Sequence, residues 1–162
     1  MPAANAVQST PPRIYTDDER ARRDATPWTL VQGLLAPVQF LVFIVSLGLV
    51  VRYLMTGEGY AIATWSVVLK TALLYAIMVT GSIWEKVVFG KWLFARPFFW
   101  EDVFSFVVIA LHTTYLWAIA FGAWEPRAQM MVALAAYATY VINAGQFIRK
   151  LRIARRELAV TA

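Results

Sequence analysis

Three carboxylates stand close together in a sequence that is otherwise strongly apolar. Glu85 ends one apolar stretch, and Glu101 and Asp102 begin the next. If the two stretches form neighbouring helices, the three side chains meet at one end of them. A carboxyl group shielded from water can hold a proton and deliver it to a substrate. Glu85 and Asp102 could instead face water at a membrane surface, and the sequence leaves that alternative open.

A second group of polar side chains lies deeper in the apolar stretches. Gln39, Lys70, His112 and Tyr137 each stand nine residues into their own stretch. At 1.5 Å per residue this is roughly 14 Å, close to the middle of a bilayer. Polar groups are costly at that depth, so each of the four is a candidate site residue. The spacing predicts one polar layer if the four helix faces converge.

Glu101 and His112 are eleven positions apart, so they return to nearly the same face of a helix. The third apolar stretch therefore carries a polar stripe about 16 Å long, with Ser105 between its ends. His112 could act in chemistry or only hydrogen-bond a neighbouring helix. Tyr137 and the glutamines could likewise be interhelical contacts, whereas Lys70 is expected to be paired or to face a cavity.

The elements that position these residues follow from the composition. The chain is 60% hydrophobic and 15% charged, which is too apolar for one water-soluble domain of 162 residues. Four stretches reach the roughly 20 residues that a helix needs to cross a bilayer. They are Leu30 to Leu54, Ala61 to Trp84, Val103 to Trp124 and Ala128 to Ile148. Their short connections predict an all-α integral membrane protein with an antiparallel four-helix bundle.

The flanking charges predict the orientation of this bundle. Twelve lysines and arginines lie in the leader, the middle loop and the tail, against Arg52 and Arg127 on the other side. Since basic flanks stay cytoplasmic, both termini are expected there. We divide the chain into a cytoplasmic leader (1–27), a transmembrane domain (28–148) and a basic tail (149–162). Thr16 and Glu19 have the spacing of a capping box and predict a short surface helix in the leader.

Several functional classes are disfavoured by what the sequence lacks. There is no cysteine, which excludes disulfides and thiolate chemistry. One histidine cannot supply both ligands of a bis-histidine haem in a monomer. The basic residues flank apolar helices and do not gather on a soluble fold, so nucleic-acid binding is not expected. The first stretch lacks a central acidic residue, which disfavours a small multidrug exporter.

Five sequence motifs taken together resemble the vinyl bacteriochlorophyllide hydratases of phototrophic bacteria. The resemblance covers about Tyr15 to Lys150. The motifs are Trp28-Thr29-Leu30-Val31-Gln32-Gly33, Ala36-Pro37-Val38-Gln39-Phe40, Trp84-Glu85-Lys86-Val87-Val88-Phe89-Gly90, Phe99-Trp100-Glu101-Asp102-Val103 and Leu111-His112-Thr113. The resemblance implies an enzyme that adds water to the ring-A vinyl group of chlorophyllide a or vinyl bacteriochlorophyllide, on the route to bacteriochlorophyll a.

Such a reaction needs a general acid, and we expect Glu101 to serve, with Glu85 or Asp102 as alternatives. His112 would either ligate the magnesium of the pigment or relay protons. A cation is expected to receive the pigment's propionate. Lys86, Lys91 or Arg96 would do so near the surface, and Lys70 if the pigment enters deeply. Gln39 and Tyr137 are the other expected substrate contacts.

No resident cofactor or metal of the protein's own is expected, because the magnesium belongs to the substrate. The expected partners are the pigment and membrane lipids, with a homo-oligomer or other pigment-biosynthesis enzymes as further candidates. The expected location is the bacterial inner or intracytoplasmic membrane. The rival interpretation is a non-enzymatic pigment-binding or assembly subunit of a photosynthetic complex, which would use the same His112.

Overall fold

The computed structural model describes residues 14–161, with side chains as far as residue 156. It contains five helices: α1 (Asp17–Ala25), α2 (Pro27–Thr56), α3 (Tyr60–Phe89), α4 (Phe99–Ala120) and α5 (Pro126–Thr161). Within the described range the fold is all-helical, as the sequence predicts. The polar leader segment Met1 to Pro12 lies outside the described residues.

Local signals in the sequence fix the first helix boundaries. Thr16 and Glu19 form the predicted capping box, in which each side chain accepts a hydrogen bond from the other residue's backbone N–H. Thr26 caps α2, and Pro27 occupies its first turn, where a missing N–H costs nothing. Gly57 ends α2 with φ at 75°, a left-handed conformation that glycine adopts without a Cβ clash.

The short helix α1 lies against the end of α3. Arg22 Nε donates to the Val88 carbonyl at 2.8 Å, and the Tyr15 ring stacks on Phe89 with 5.7 Å between centroids. The α1 residues themselves are not buried. The predicted surface helix is therefore confirmed, and the Arg22 hydrogen bond and the ring contacts of Tyr15 hold it against the bundle.

Both ends of α4 differ from the predicted ones. Helix α4 begins at Phe99 and ends at Ala120, each four residues before the predicted bounds of Val103 and Trp124. Glu101 and Asp102, predicted to open this span, lie in the first turn of the helix. At the other end, Gly122 and Trp124 both have positive φ, which a right-handed helix does not accommodate.

Helix α5 also departs from the prediction, because it continues past Ile148 through the basic segment to Thr161. Residues 149–161 contain neither glycine nor proline, so nothing in the sequence stops the helix. The boundary predicted between a transmembrane domain and a tail after residue 148 therefore does not coincide with a helix end.

The four long helices pack as a bundle. Helix α2 packs chiefly against α3, and α4 packs chiefly against α5. Contacts of α2 with α5 and of α3 with α4 complete the bundle. The connections between successive long helices are short, which makes neighbours antiparallel. They span residues 57–59, 90–98 and 121–125.

The bundle places apolar side chains outside and many of its polar ones inside. Leu30, Leu41 and Val45 on α2 are each more than 60% exposed, whereas Lys70 and His112 are fully buried. All four long helices are apolar and long enough to cross a membrane. An exposed apolar surface of this extent needs an apolar surrounding.

Candidate functional site

The three predicted carboxylates converge at the end of the bundle where α3 finishes and α4 begins. We call Glu85, Glu101 and Asp102 the carboxylate layer; each is at most 5% exposed, and the three interact electrostatically. The prediction that they meet is confirmed. The alternative in which Glu85 and Asp102 face headgroup water is wrong, because the 90–98 connection folds over them.

Glu85 and Asp102 hold that connection in place. The Asp102 carboxylate accepts from the Phe94 backbone N–H at 2.7 Å, and the Glu85 carboxylate accepts from the Ala95 N–H at 3.1 Å. Phe94 has a left-handed φ of 58°, a conformation that is costly for a residue with a side chain. The two hydrogen bonds therefore maintain a strained loop.

Glu85 and Asp102 also lie close enough to each other to interact electrostatically. Their two hydrogen bonds hold the 90–98 connection against the ends of α3 and α4. We call this pair of carboxylates the clamp.

Glu101 has different surroundings from the other two carboxylates. Its Oε1 lies 3.6 Å from the Nζ of Lys150 on α5, and the same ammonium donates to the Pro97 carbonyl. The Glu101 side chain also lines a groove of about 420 Å³ between α4, α5 and the 90–98 connection. Of the three carboxylates, Glu101 is the one that lines this groove.

The groove combines aromatic, cationic and acidic groups. Its walls are Arg96, Pro97, Phe99, Trp100, Gln146, Arg149, Lys150 and Ile153, beside Glu101. Trp100 is 63% exposed and so presents a broad apolar surface. Aromatic walls with a few polar groups are typical of small-molecule sites. This lining suits a flat apolar molecule that carries a carboxylate at one edge.

A larger groove of about 550 Å³ lies on the other side of the 90–98 connection, against α1. Its lining includes Tyr15, Asp17, Glu19 and Lys91 but none of the three clustered carboxylates. We assign the candidate site to the smaller groove, because its carboxylate, Glu101, is buried, whereas Asp17 and Glu19 in the larger groove are not.

The four deeper residues also converge, and we call Gln39, Lys70, His112 and Tyr137 the interior layer. All are at most 5% exposed. The rings of His112 and Tyr137 lie 5.8 Å apart, and Lys70 and His112 interact electrostatically. The predicted convergence is confirmed for Lys70, His112 and Tyr137, and Gln39 lies on the buried face of α2.

The structure separates the interior layer from the groove. Glu101 and His112 share one face of α4 but stand eleven residues apart, which is about 16 Å. Gln39, Lys70 and Tyr137 accordingly do not line the groove. Lys86 is also elsewhere, because its ammonium donates to the Gly90 carbonyl at 3.0 Å and faces the Trp92 ring. Arg96 is the predicted propionate-binding cation that does line the groove.

Residues 14–161 contain no group of three or more His, Asp, Glu or Cys side chains arranged to hold a metal ion. His112 still offers one free ligand atom. Its Nδ1 lies 2.8 Å from the Val108 carbonyl, which fixes the proton on Nδ1 and leaves a lone pair on Nε2. That nitrogen is fully buried, so a macrocycle would reach it only if the helices separated.

Sequence reasoning missed four polar site residues, all on α5. Lys150 pairs with Glu101, Gln146 and Arg149 line the groove, and Asn143 donates to Ser105 Oγ at 2.9 Å. Lys150 was interpreted only as part of a basic flank. The spacing of Asn143 and Gln146, one helical turn apart in an apolar run, was the signal that could have revealed a polar face.

Comparisons with known proteins give a consistent result. The sequence profile of the 2-vinyl bacteriochlorophyllide hydratase family matches residues 15–153. A 2-vinyl bacteriochlorophyllide hydratase of Cereibacter sphaeroides is 71% identical over 147 residues, covering 90% of this chain and 91% of the relative. The protein of that name from Rhodobacter capsulatus is 70% identical over 146 residues, covering 90% and 85%. No solved structure matches the chain.

The clamp can be tested by comparing two substitutions of Glu85. Glu85→Gln keeps the size of the side chain and an oxygen that accepts from the Ala95 N–H. Glu85→Ala leaves the Ala95 N–H unpaired, a loss of about 1–3 kcal/mol. Tryptic cleavage after Lys91 should therefore accelerate in Glu85→Ala and stay at the wild-type rate in Glu85→Gln. Equal acceleration in both variants would contradict the clamp.

Proposed function

Because the chain belongs to the 2-vinyl bacteriochlorophyllide hydratase family, we propose that it hydrates the pigment's vinyl group in the groove beside Glu101. The chain is a hydratase of bacteriochlorophyll biosynthesis, as the family match over residues 15–153 indicates. The observation that carries the choice of site is the groove itself, which brings one buried carboxylate together with aromatic and cationic walls.

The walls of the groove fit the two chemical features of the pigment. Trp100 and Phe99 offer apolar faces against which a flat macrocycle can stack. Arg96 and Arg149 supply guanidinium groups at the rim, and an unesterified propionate is the natural partner for such a group. The pigment would therefore lie with its propionate at the rim and its vinyl group near Glu101.

The reaction then needs one acid and one water molecule. Glu101 gives its proton to the terminal vinyl carbon, and the cation forms on the carbon attached to the ring, where the macrocycle delocalises the charge. Water attacks that carbon and returns its second proton to the Glu101 carboxylate. One water molecule is added, and the carboxyl group ends protonated as it began.

Lys150 links substrate binding to Glu101. In the free groove its ammonium lies 3.6 Å from the Glu101 carboxyl group. The propionate of an arriving pigment competes for the same ammonium. Once Lys150 turns to the propionate, Glu101 loses this ion pair and is free to face the vinyl group.

We further propose that the bundle spans the bacterial inner or intracytoplasmic membrane with both ends in the cytoplasm. The apolar outer surface and the excess of basic flanking residues support this orientation. The groove then opens at the cytoplasmic surface. Hydration is redox-neutral and needs only an acid and water, so no resident cofactor is invoked. Homo-oligomers and contacts with other pigment-biosynthesis enzymes remain proposals without a defined interface.

A pigment-binding assembly subunit was the rival interpretation. The relatives at 71% and 70% identity carry the name of an enzyme, and this favours catalysis over assembly. A protein that only binds pigment also does not need a carboxyl group buried in the floor of its groove.

Glu101→Gln should lower kcat for hydration by roughly 100-fold or more, because an amide cannot donate the required proton. Pigment binding should stay close to wild type, since the side chain keeps its size. Conversion of vinyl to hydroxyethyl pigment is measured by absorption and chromatography in isolated membranes. Glu125→Gln, at the opposite end of the bundle, is the matched control. Full turnover by Glu101→Gln would remove Glu101 as the acid.

Arg149→Gln should raise KM for the free-acid pigment by about tenfold, the effect of losing one charged hydrogen bond. The pigment's methyl ester offers no carboxylate, so wild type and variant should bind it equally. Binding is followed by quenching of pigment fluorescence. An equal loss of affinity for acid and ester would show that Arg149 acts by packing and not on the propionate.

The orientation can be tested with single cysteines, because the chain has none of its own. Glu58→Cys should react with an impermeant maleimide added to the periplasmic side of spheroplasts. Lys91→Cys and Arg155→Cys should react only after the membrane is opened. The reverse labelling pattern would overturn the proposed orientation.

A further inference from the structure

The interior layer contains buried polar atoms that lack partners. Lys70 Nζ, His112 Nε2 and Gln39 Oε1 have no hydrogen-bond partner among residues 14–161. Asn143 Oδ1, which lies nearer the groove, also has no hydrogen-bond partner among these residues. Buried polar atoms are almost always satisfied, and where protein atoms do not satisfy them, ordered water usually does.

The chemistry of these atoms identifies the missing ligand. Lys70 brings only donors, whereas His112 Nε2, Gln39 Oε1 and Asn143 Oδ1 are acceptors. A metal cation would be repelled by the Lys70 ammonium, which lies 3.8 Å over the Tyr140 ring. An anion would be repelled by the three acceptors. Water accepts from Lys70 and donates to the others, so it satisfies both kinds of group.

Two polar residues stand between the interior layer and Glu101. Ser105 lies one turn from Glu101 on α4, and its Oγ donates to the Glu101 backbone carbonyl at 2.9 Å. Asn143 donates to the same Oγ, and its own Oδ1 is buried without a partner among residues 14–161. His112 follows two turns, about 10 Å, beyond Ser105.

We propose that the interior layer holds ordered water molecules and that this internal store, reached through Asn143 and Ser105, supplies the water added to the vinyl group. The proposal rests on the proposed function, in which the pigment lies over the groove. A macrocycle in that position would shield the vinyl group from bulk solvent. Water held on the protein side of Glu101 would remain available.

This assignment also separates the two roles considered for His112. As part of the water store, its Nε2 lone pair accepts a hydrogen bond from water and does not ligate magnesium. Its full burial agrees with that role, because a site too enclosed for a macrocycle can still hold a water molecule.

X-ray hydroxyl-radical footprinting of the intact protein in lipid nanodiscs tests the store without any pigment. Radiolysis of bound water produces hydroxyl radicals beside the residues that hold it. His112 should therefore be modified at least about tenfold faster than Met130, although methionine is intrinsically the more reactive residue type. Both side chains are fully buried, and Met130 lies in the apolar core. Modification of His112 no faster than that of Met130 would overturn the water store.

The supply path is tested by Asn143→Leu, which fills the gap with an apolar side chain. Its kcat should fall about tenfold, with KM for the pigment unchanged. Thr139→Val, one turn earlier on α5, should leave both constants at wild-type values. An unchanged kcat in Asn143→Leu would overturn the supply path.

His112→Phe should bind pigment normally, and loss of pigment binding would instead make His112 the magnesium ligand and overturn the proposal. The outcomes stay distinct from those of the proposed function. If His112 is modified no faster than Met130 and Glu101→Gln is inactive, the water store is ruled out and Glu101 is retained as the acid. If His112 is modified faster and Glu101→Gln is active, the water store is retained and Glu101 is ruled out as the acid.

Discussion

The inward placement of nearly all strongly polar mid-helix groups is the constraint on which the rest of the structure depends. The outer surface is apolar, and a hydrocarbon surrounding satisfies no hydrogen bond. Polar side chains are therefore stable only where helices face one another. This requirement brings one residue from each long helix to the interior layer, and it gathers three carboxylates under the 90–98 connection. The same requirement makes both groups chemically useful, because groups shielded from bulk water interact strongly.

The three carboxylates divide structure and chemistry between them. Asp102 accepts a hydrogen bond from the Phe94 N–H, and Glu85 accepts one from the Ala95 N–H. Glu101 instead has one long ion pair to Lys150 and lines the groove. The clamp thus shapes the wall of the groove in which we propose that the third carboxylate acts. Three similar side chains within one layer take different roles because their neighbours differ, not because their chemistry does.

The two polar layers suggest how a small bundle could hydrate a large apolar substrate. The pigment must be shielded well enough to bind, yet water must still reach its reacting carbon. The groove meets the first demand with aromatic walls, and a hydrated interior behind Glu101 would meet the second. Asn143 and Ser105 lie between the layers, and they are hydrogen-bonded to each other and, through Ser105, to the Glu101 backbone carbonyl.

The sequence by itself determined the helix count, the capping box at Thr16, the two polar layers and the family. These features depend on local composition and spacing, which are read along one chain. The sequence pattern predicted both ends of α4 four residues too far along the chain and did not predict the continuation of α5. The reason is that an apolar run and the helix that contains it need not begin and end at the same residues. Only the tertiary structure decided that Lys150 pairs with Glu101, 49 positions away, and that Glu85 and Asp102 clamp a loop. The first contact joins residues distant in sequence, and the second consists of hydrogen bonds to backbone N–H groups. Neither kind of contact produces a periodic pattern of residue types.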